Sequence, residues 1–183
     1  MKISVFTLCL VSLFAVSSCS VKNKSQSSEL RPIIQKVNWP GPSLIDNSAL
    51  ILLSQENKDK IYKSNVPVLF VKPTQSMQEP VFIVDTHYYA ASFNFNNETY
   101  FSIMGTRIGY QRNKSMNPNF NCTVRGINGI VDENVGIWSI TWSEYGASYA
   151  LDIECSKQGN PHCSKDYIIR LANDLVYLGG TGS

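Results

Sequence analysis

Five cysteines, two histidines and a handful of carboxylates carry the reactive potential of this 183-residue chain. Asp85-Thr86-His87 places two titratable groups near one strand end, and with a carboxylate such as Glu144 they could form a hydrolase site. That chemistry requires the three groups to converge in one cleft, which spacing alone does not supply. Cys155, His162, Cys163 and Cys122 are soft metal ligands, yet adjacent His162-Cys163 is awkward for tetrahedral zinc and no CxxC motif is present. With only His87 and His162 to draw on, most multi-histidine metal sites are removed, and no metal and no cofactor are expected. There is no GxSxG, HExxH or phosphate-cradling glycine loop. Gly105-Thr106-Arg107-Ile108-Gly109 is wrongly placed for a dinucleotide and reads as a bend or bulge. Tyr88, Tyr89, Tyr100, Tyr110 and Phe120 could offer an aromatic surface to sugar or lipid, sheet packing being the plainer use.

The charge balance is near neutral, with 16 basic and 14 acidic residues and a formal charge of +2. Such a chain is not built to neutralise many phosphates, so nucleic acid is not an expected partner. A hydrophobic fraction of 43% is ample for a core.

The front of the chain has a different logic. Met1-Lys2 is a short positive start, and Ile3 to Val16 is an apolar run of 14 residues. A lasting transmembrane helix needs roughly 20, so residues 1–18 read as a signal peptide. Val16-Ser17-Ser18-Cys19 closes the run. This segment resembles the lipobox of bacterial lipoproteins, an aliphatic residue and two small residues before an obligatory cysteine. The resemblance implies that Cys19 is lipidated and that cleavage occurs before it; ordinary secretion with Cys19 a plain thiol is the competing reading. At ~0.8 kcal/mol per buried CH₂, two or three acyl chains hold a protein on a membrane almost permanently, where one does not. Ser20 after the cysteine implies, by that family's sorting rule, the outer membrane. Residues 19–30 are polar and aperiodic and read as a flexible tether.

Residues 31–183 read as one globular α+β domain, an antiparallel sheet of hairpins packed against a C-terminal helix and a shorter N-terminal helix. Glu29 to Pro42 reads as an ordered lead-in without an element of its own. Ser48 to Lys63 is helix-like, with Ser54 able to cap a second segment. Val66–Lys72 and Val81–Asp85 read as short strands. Tyr88–Phe95 and Thr99–Arg107 form a hairpin turned at Asn96-Asn97. Arg112 to Asn121 reads as a polar loop, and Thr123 to Val131 as room for a further strand. Trp138, Ile140 and Trp142, then Ala147, Tyr149, Leu151 and Ile153, alternate with polar residues around a Glu144-Tyr145-Gly146 turn, which predicts a half-buried antiparallel pair. The stripe Ile168, Leu171, Ala172, Leu175 and Leu178 predicts a helix from Lys165 to about Leu178, capped by Ser164 and stopped by Gly179-Gly180.

Export implies an oxidising compartment, and a pair between Cys155 and Cys163 across the Gly159-Asn160-Pro161 turn is favoured over one involving Cys122. The closed loop of about nine residues stabilises by about 2.5 kcal/mol in the chain-entropy model. The alternating hairpins and closing helix, mainly Tyr88 to Gly180, are loosely similar to lipoprotein-carrier-type periplasmic half-barrels, a pattern that carries over no binding residue. The expectation is a membrane-anchored envelope lipoprotein that binds an envelope protein, a lipid or the cell wall without catalysis. The alternative is an envelope hydrolase built on Asp85 and His87.

Overall fold

The computed structural model describes residues 32–74, 77–96, 98–110, 118–157 and 159–182. The leader, Cys19, the tether, Asn97 and most of the 112–121 loop lie outside the described residues.

A seven-stranded antiparallel sheet dominates, and the fold is broadly α+β. Its order is β3 (Val81–Val84), β4 (Tyr88–Asn96), β5 (Thr99–Thr106), β10 (Ala147–Cys155), β9 (Ile137–Glu144), β8 (Ile127–Asn134) and β7 (Cys122–Val124). Two meanders, β3-β4-β5 and β7-β8-β9-β10, thus meet along the β5–β10 seam, with Ile153 opposite Phe101 and Leu151 opposite Ile103. The alternation is kept: Ala147, Tyr149, Leu151 and Ile153 are buried while Ser148, Ala150 and Asp152 face the other side half-exposed.

The second meander is wound by three two-residue turns of one kind. Arg125-Gly126, Val135-Gly136 and Tyr145-Gly146 all have positive φ at both positions, 51° and 79°, 50° and 80°, and 54° and 71°. That backbone matches the right-handed twist of the strands it joins. Glycine takes it freely, whereas Val135, a β-branched residue exposed at the tip, does not.

The buried face carries a second layer made of the segments that precede and follow the sheet strands. Helices α1 (Asn47–Ile51) and α2 (Gln55–Tyr62) are capped by Asp46, which accepts from the Ala49 amide, and by Ser54, which accepts from the Asn57 amide. Of the predicted N-terminal stripe, Leu50, Leu53, Asn57 and Ile61 are buried, and Tyr62 is exposed. Helix α3 (Lys165–Asn173) is capped by Ser164 and touches β7, β8, β9 and β10.

The predicted helix to Leu178 is corrected: α3 stops at Asn173, and Val176–Gly179 is a strand, β11, paired with β2 (Val68–Phe70). Asn173 ends the helix with its own side chain, its amide donating to the Ile169 carbonyl at 2.7 Å and its oxygen accepting from the Arg125 amide. Leu175 and Leu178 are buried as the stripe requires, but as an extended segment against β2. Gly180 is not a helix cap; the Trp39 ring and the Ser64 carbonyl occupy the space a side chain would need. The lead-in is also corrected, since Pro32–Ile34 forms a strand, β1, paired with β6 (Ile108–Tyr110).

Two buried tyrosines join the layers. The Tyr89 hydroxyl donates to the Leu69 carbonyl at 2.8 Å and accepts from the Leu69 amide at 3.0 Å, replacing a strand partner on the free edge of β2. The Tyr149 hydroxyl donates to the Pro67 carbonyl at 2.9 Å. Burial pushes both hydroxyls far above the ordinary tyrosine range, so they stay protonated donors. Both rings pass over Gly105, where an added Cβ would lie against Tyr89 and 2.8 Å from Tyr149.

Tyr89→Phe leaves the Leu69 amide and carbonyl buried without partners and lowers unfolding free energy by about 2–3 kcal/mol in urea titrations. Val135→Asn relieves the strained turn and raises it by about 1 kcal/mol, read as a higher urea midpoint at unchanged slope.

Candidate functional site

The polar alternate residues of the sheet do not simply face solvent. Register brings Met104, Ala150, Thr141 and Ile130 into one row across β5, β10, β9 and β8, and Thr106, Ser148 and Ser143 into the next. The β1–β6 ribbon and Pro118–Phe120 rise beside these rows and enclose a cleft of about 630 Å³. The chain reaches the ribbon through a bend at Arg107, where the Thr106 hydroxyl accepts from the Ile108 amide at 3.1 Å and donates to the His87 carbonyl at 3.3 Å. The expected bend is therefore present and is what lifts β6 off the sheet.

The described lining of the cleft is neutral. Among the described residues no Asp, Glu, Lys, Arg or His lines it. The hydroxyls of Thr141, Ser143 and Ser148 and the amides of Gln35 and Asn128 make no side-chain hydrogen bond to the described residues, so they are free for a guest. Tyr110 and Phe120 stand on the walls at 60% and 49% exposure, unlike Tyr89, which is in the core. A cleft of this size falls within the range of about 300–1,000 Å³ typical of small-molecule sites. A smaller hollow of about 210 Å³ between α3 and the sheet, lined by Phe93, Phe95, Phe101 and Tyr167, falls below it. A groove of about 690 Å³ between the end of α2 and β3, lined by Lys60, Lys63 and Asp85, has room and is more open to solvent.

Comparison with protein families, curated proteins and solved structures finds no match to this chain.

The hydrolase candidates do not converge. Asp85 and His87 sit in the β3–β4 turn, where the Asp85 amide bonds the Tyr88 carbonyl and the Asp85 carboxylate accepts from the Thr86 amide at 2.6 Å. The His87 Nδ1 is buried without a hydrogen-bond partner among the described residues. Glu144 ends β9, three strand steps from β4, which is about 14 Å at 4.8 Å per step. Its carboxylate is already engaged, accepting from Arg125 Nε at 2.8 and 3.1 Å and from Trp142 Nε1 at 3.2 Å. Arg125 Nη1 also donates to the Leu175 carbonyl at 2.6 Å, locking the α3–β11 junction to the turns of the meander. Burial opposes the Arg125 charge, but the Glu144 carboxylate outweighs it and holds its pKa above the usual value. The spacing of Arg125 and Glu144 in sequence gives no sign of this pair.

The predicted bridge is present: Cys155 at the end of β10 is bonded to Cys163 ahead of α3, with Cα atoms 6.2 Å apart. His162 beside it is packed edge-on against Phe95 and Tyr167, a structural role. Cys122 is a free, half-buried thiol on the edge strand, raised in pKa by burial. Among the described residues no group of three or more His, Cys, Asp or Glu could hold a metal ion.

Replacing Cys155 and Cys163 together by serine should lower unfolding free energy by about 2–3 kcal/mol. Non-reducing peptide mapping should recover their two peptides as one species.

Proposed function

We propose that this chain is a membrane-anchored lipoprotein of the bacterial cell envelope, held by acyl chains on Cys19, whose folded part binds a ligand without transforming it. The anchor reading rests on the Val16-Ser17-Ser18-Cys19 segment, and the outer membrane on Ser20. The observation that carries the binding reading is the walled cleft on the polar face of the sheet, stocked with unused hydroxyls and amides, whose described lining holds no carboxylate or histidine. Catalysis of hydrolysis at neutral pH most often uses a positioned histidine or carboxylate, and among the described residues none lines the cleft. The disulfide supports an oxidising compartment such as the periplasm.

Two measurements test this. A photo-crosslinking amino acid at position 104, in the cleft floor, should give a light-dependent adduct in intact cells, and the same group at the exposed position 154 should not. Equal adducts at both positions, or none at 104, would overturn the binding reading. Radiolabelled palmitate should enter the natural protein and be absent from Cys19→Ala; equal labelling removes the anchor.

A further inference from the structure

We infer that the β1–β6 ribbon rests on the lipid surface, its exposed isoleucines and tyrosine seated in the boundary between headgroups and acyl chains. This rests on the acyl anchor at Cys19 and extends it from an attachment to an orientation.

Strand β1 is Pro32-Ile33-Ile34, wholly apolar, and all three of its residues are exposed. Ile33 is 46% exposed, Ile34 45%, and Tyr110, opposite Pro32 in β6, 60%. Register puts Pro32, Ile34, Ile108 and Tyr110 on one side of the ribbon and Ile33 with Gly109 on the other. Large apolar groups therefore look outward from both sides. Single exposed apolar side chains are ordinary, but an entire strand of them marks a surface that something covers. Backbone pairing rather than burial holds this ribbon in place. The Gln35 amide donates to the Arg107 carbonyl at 2.8 Å, and the Ile108 amide donates to the Thr106 hydroxyl at 3.1 Å. The isoleucines are thus left over for an outside partner.

Chain length argues for lipid as that partner. Pro32 is 13 residues beyond Cys19. That many residues span at most about 45 Å in any conformation. Strand β1 is the described element nearest the anchor along the chain, so acyl chains at Cys19 keep it within reach of the membrane. A tether makes the second contact intramolecular, and a patch too weak to hold a free protein on a bilayer then suffices to orient an attached one. Tyrosine suits that boundary, its ring among the chains and its hydroxyl among the headgroups. A second copy of the chain is the poorer occupant. A standard protein interface takes roughly 800 Å² from each partner, more than three half-exposed side chains supply. Because Ile108, Gly109 and Tyr110 also line the cleft, seating the ribbon places that wall at the membrane.

The test uses the full lipidated chain on vesicles of phosphatidylethanolamine and phosphatidylglycerol. A nitrobenzoxadiazole fluorophore is attached at Ile34→Cys or, as the comparison, at Asn134→Cys, both in a Cys122→Ser background. Position 134 is exposed and lies at the opposite end of the strands, since Ser148 pairs with Thr106 beside the ribbon whereas Glu154 pairs with Ile137 and Ile137 with Asn134. The fluorophore brings the same affinity for lipid to both sites. At 34 its emission should shift to the blue and be quenched several-fold by nitroxide-bearing lipids; at 134 it should do neither. Ile33→Ser with Tyr110→Ser should cut the quenching at 34 roughly threefold. Both side chains are exposed, so the thermal unfolding midpoint should stay near that of the natural protein. Equal quenching at both positions, quenching at 34 unmoved in the double variant, or none at 34 while the protein still floats with the vesicles would overturn the ribbon contact and leave the anchor standing. A blue shift at 34 that lipid nitroxides do not quench puts protein over the ribbon and overturns it too. Failure to float with the vesicles removes the anchor, and this inference with it.

Discussion

The contact between the Tyr89 hydroxyl and the two backbone groups of Leu69 is the constraint from which the rest of the architecture follows. A sheet with one apolar face needs a cover, and the cover here is a two-stranded ribbon, β2 with β11, too small to be stable alone. Its free edge would leave buried amide and carbonyl groups unpaired, and each would weigh against folding. A long side chain from the sheet supplies the missing partner, and Tyr149 repeats the device at Pro67. Both rings need room to cross the layer, and the absence of a side chain at Gly105 gives it. One small residue, two large ones and three backbone groups thus set the distance between the layers.

Much of this arrangement was legible in the sequence. The two hairpins, the alternation along β9 and β10, the Ser54 and Ser164 caps and the Cys155–Cys163 bridge all express local rules that act within a few residues. What escaped was set by distant partners. Leu175 and Leu178 satisfy a helical stripe as well as a strand, and only the availability of β2, about a hundred residues earlier, decides for the strand. Pro32–Ile34 has no strand pattern and becomes one because β6 lies beside it. The cleft was hidden for the same reason: Thr141, Ser143 and Ser148 read as the wet face of a sheet until the ribbon made by Pro32–Ile34 and Ile108–Tyr110 walls them in. Glu144 read as a loose carboxylate near a turn, and its commitment to Arg125 rests on a pairing between two different turns.

The division of labour between the two faces follows from this. Apolar residues on one face are wholly used in holding the layers together, with the partly buried ion pair of Arg125 and Glu144 and the disulfide at opposite ends of the second meander. The other face contributes little to the core and is free to vary its chemistry. A rigid floor with an adjustable surface is the condition for a selective site, because the floor's hydroxyls are placed by the strand register and need no ordering when a guest arrives.

The pairing of β11 with β2 has a consequence for the history of each molecule. Val176 lies opposite Phe70, so the ribbon pairs segments about a hundred residues apart in sequence. Until that pairing forms, the apolar side of the sheet lacks its lid. The cover is thus the most non-local part of the fold, and closing so long a loop makes it the costliest pairing in chain entropy.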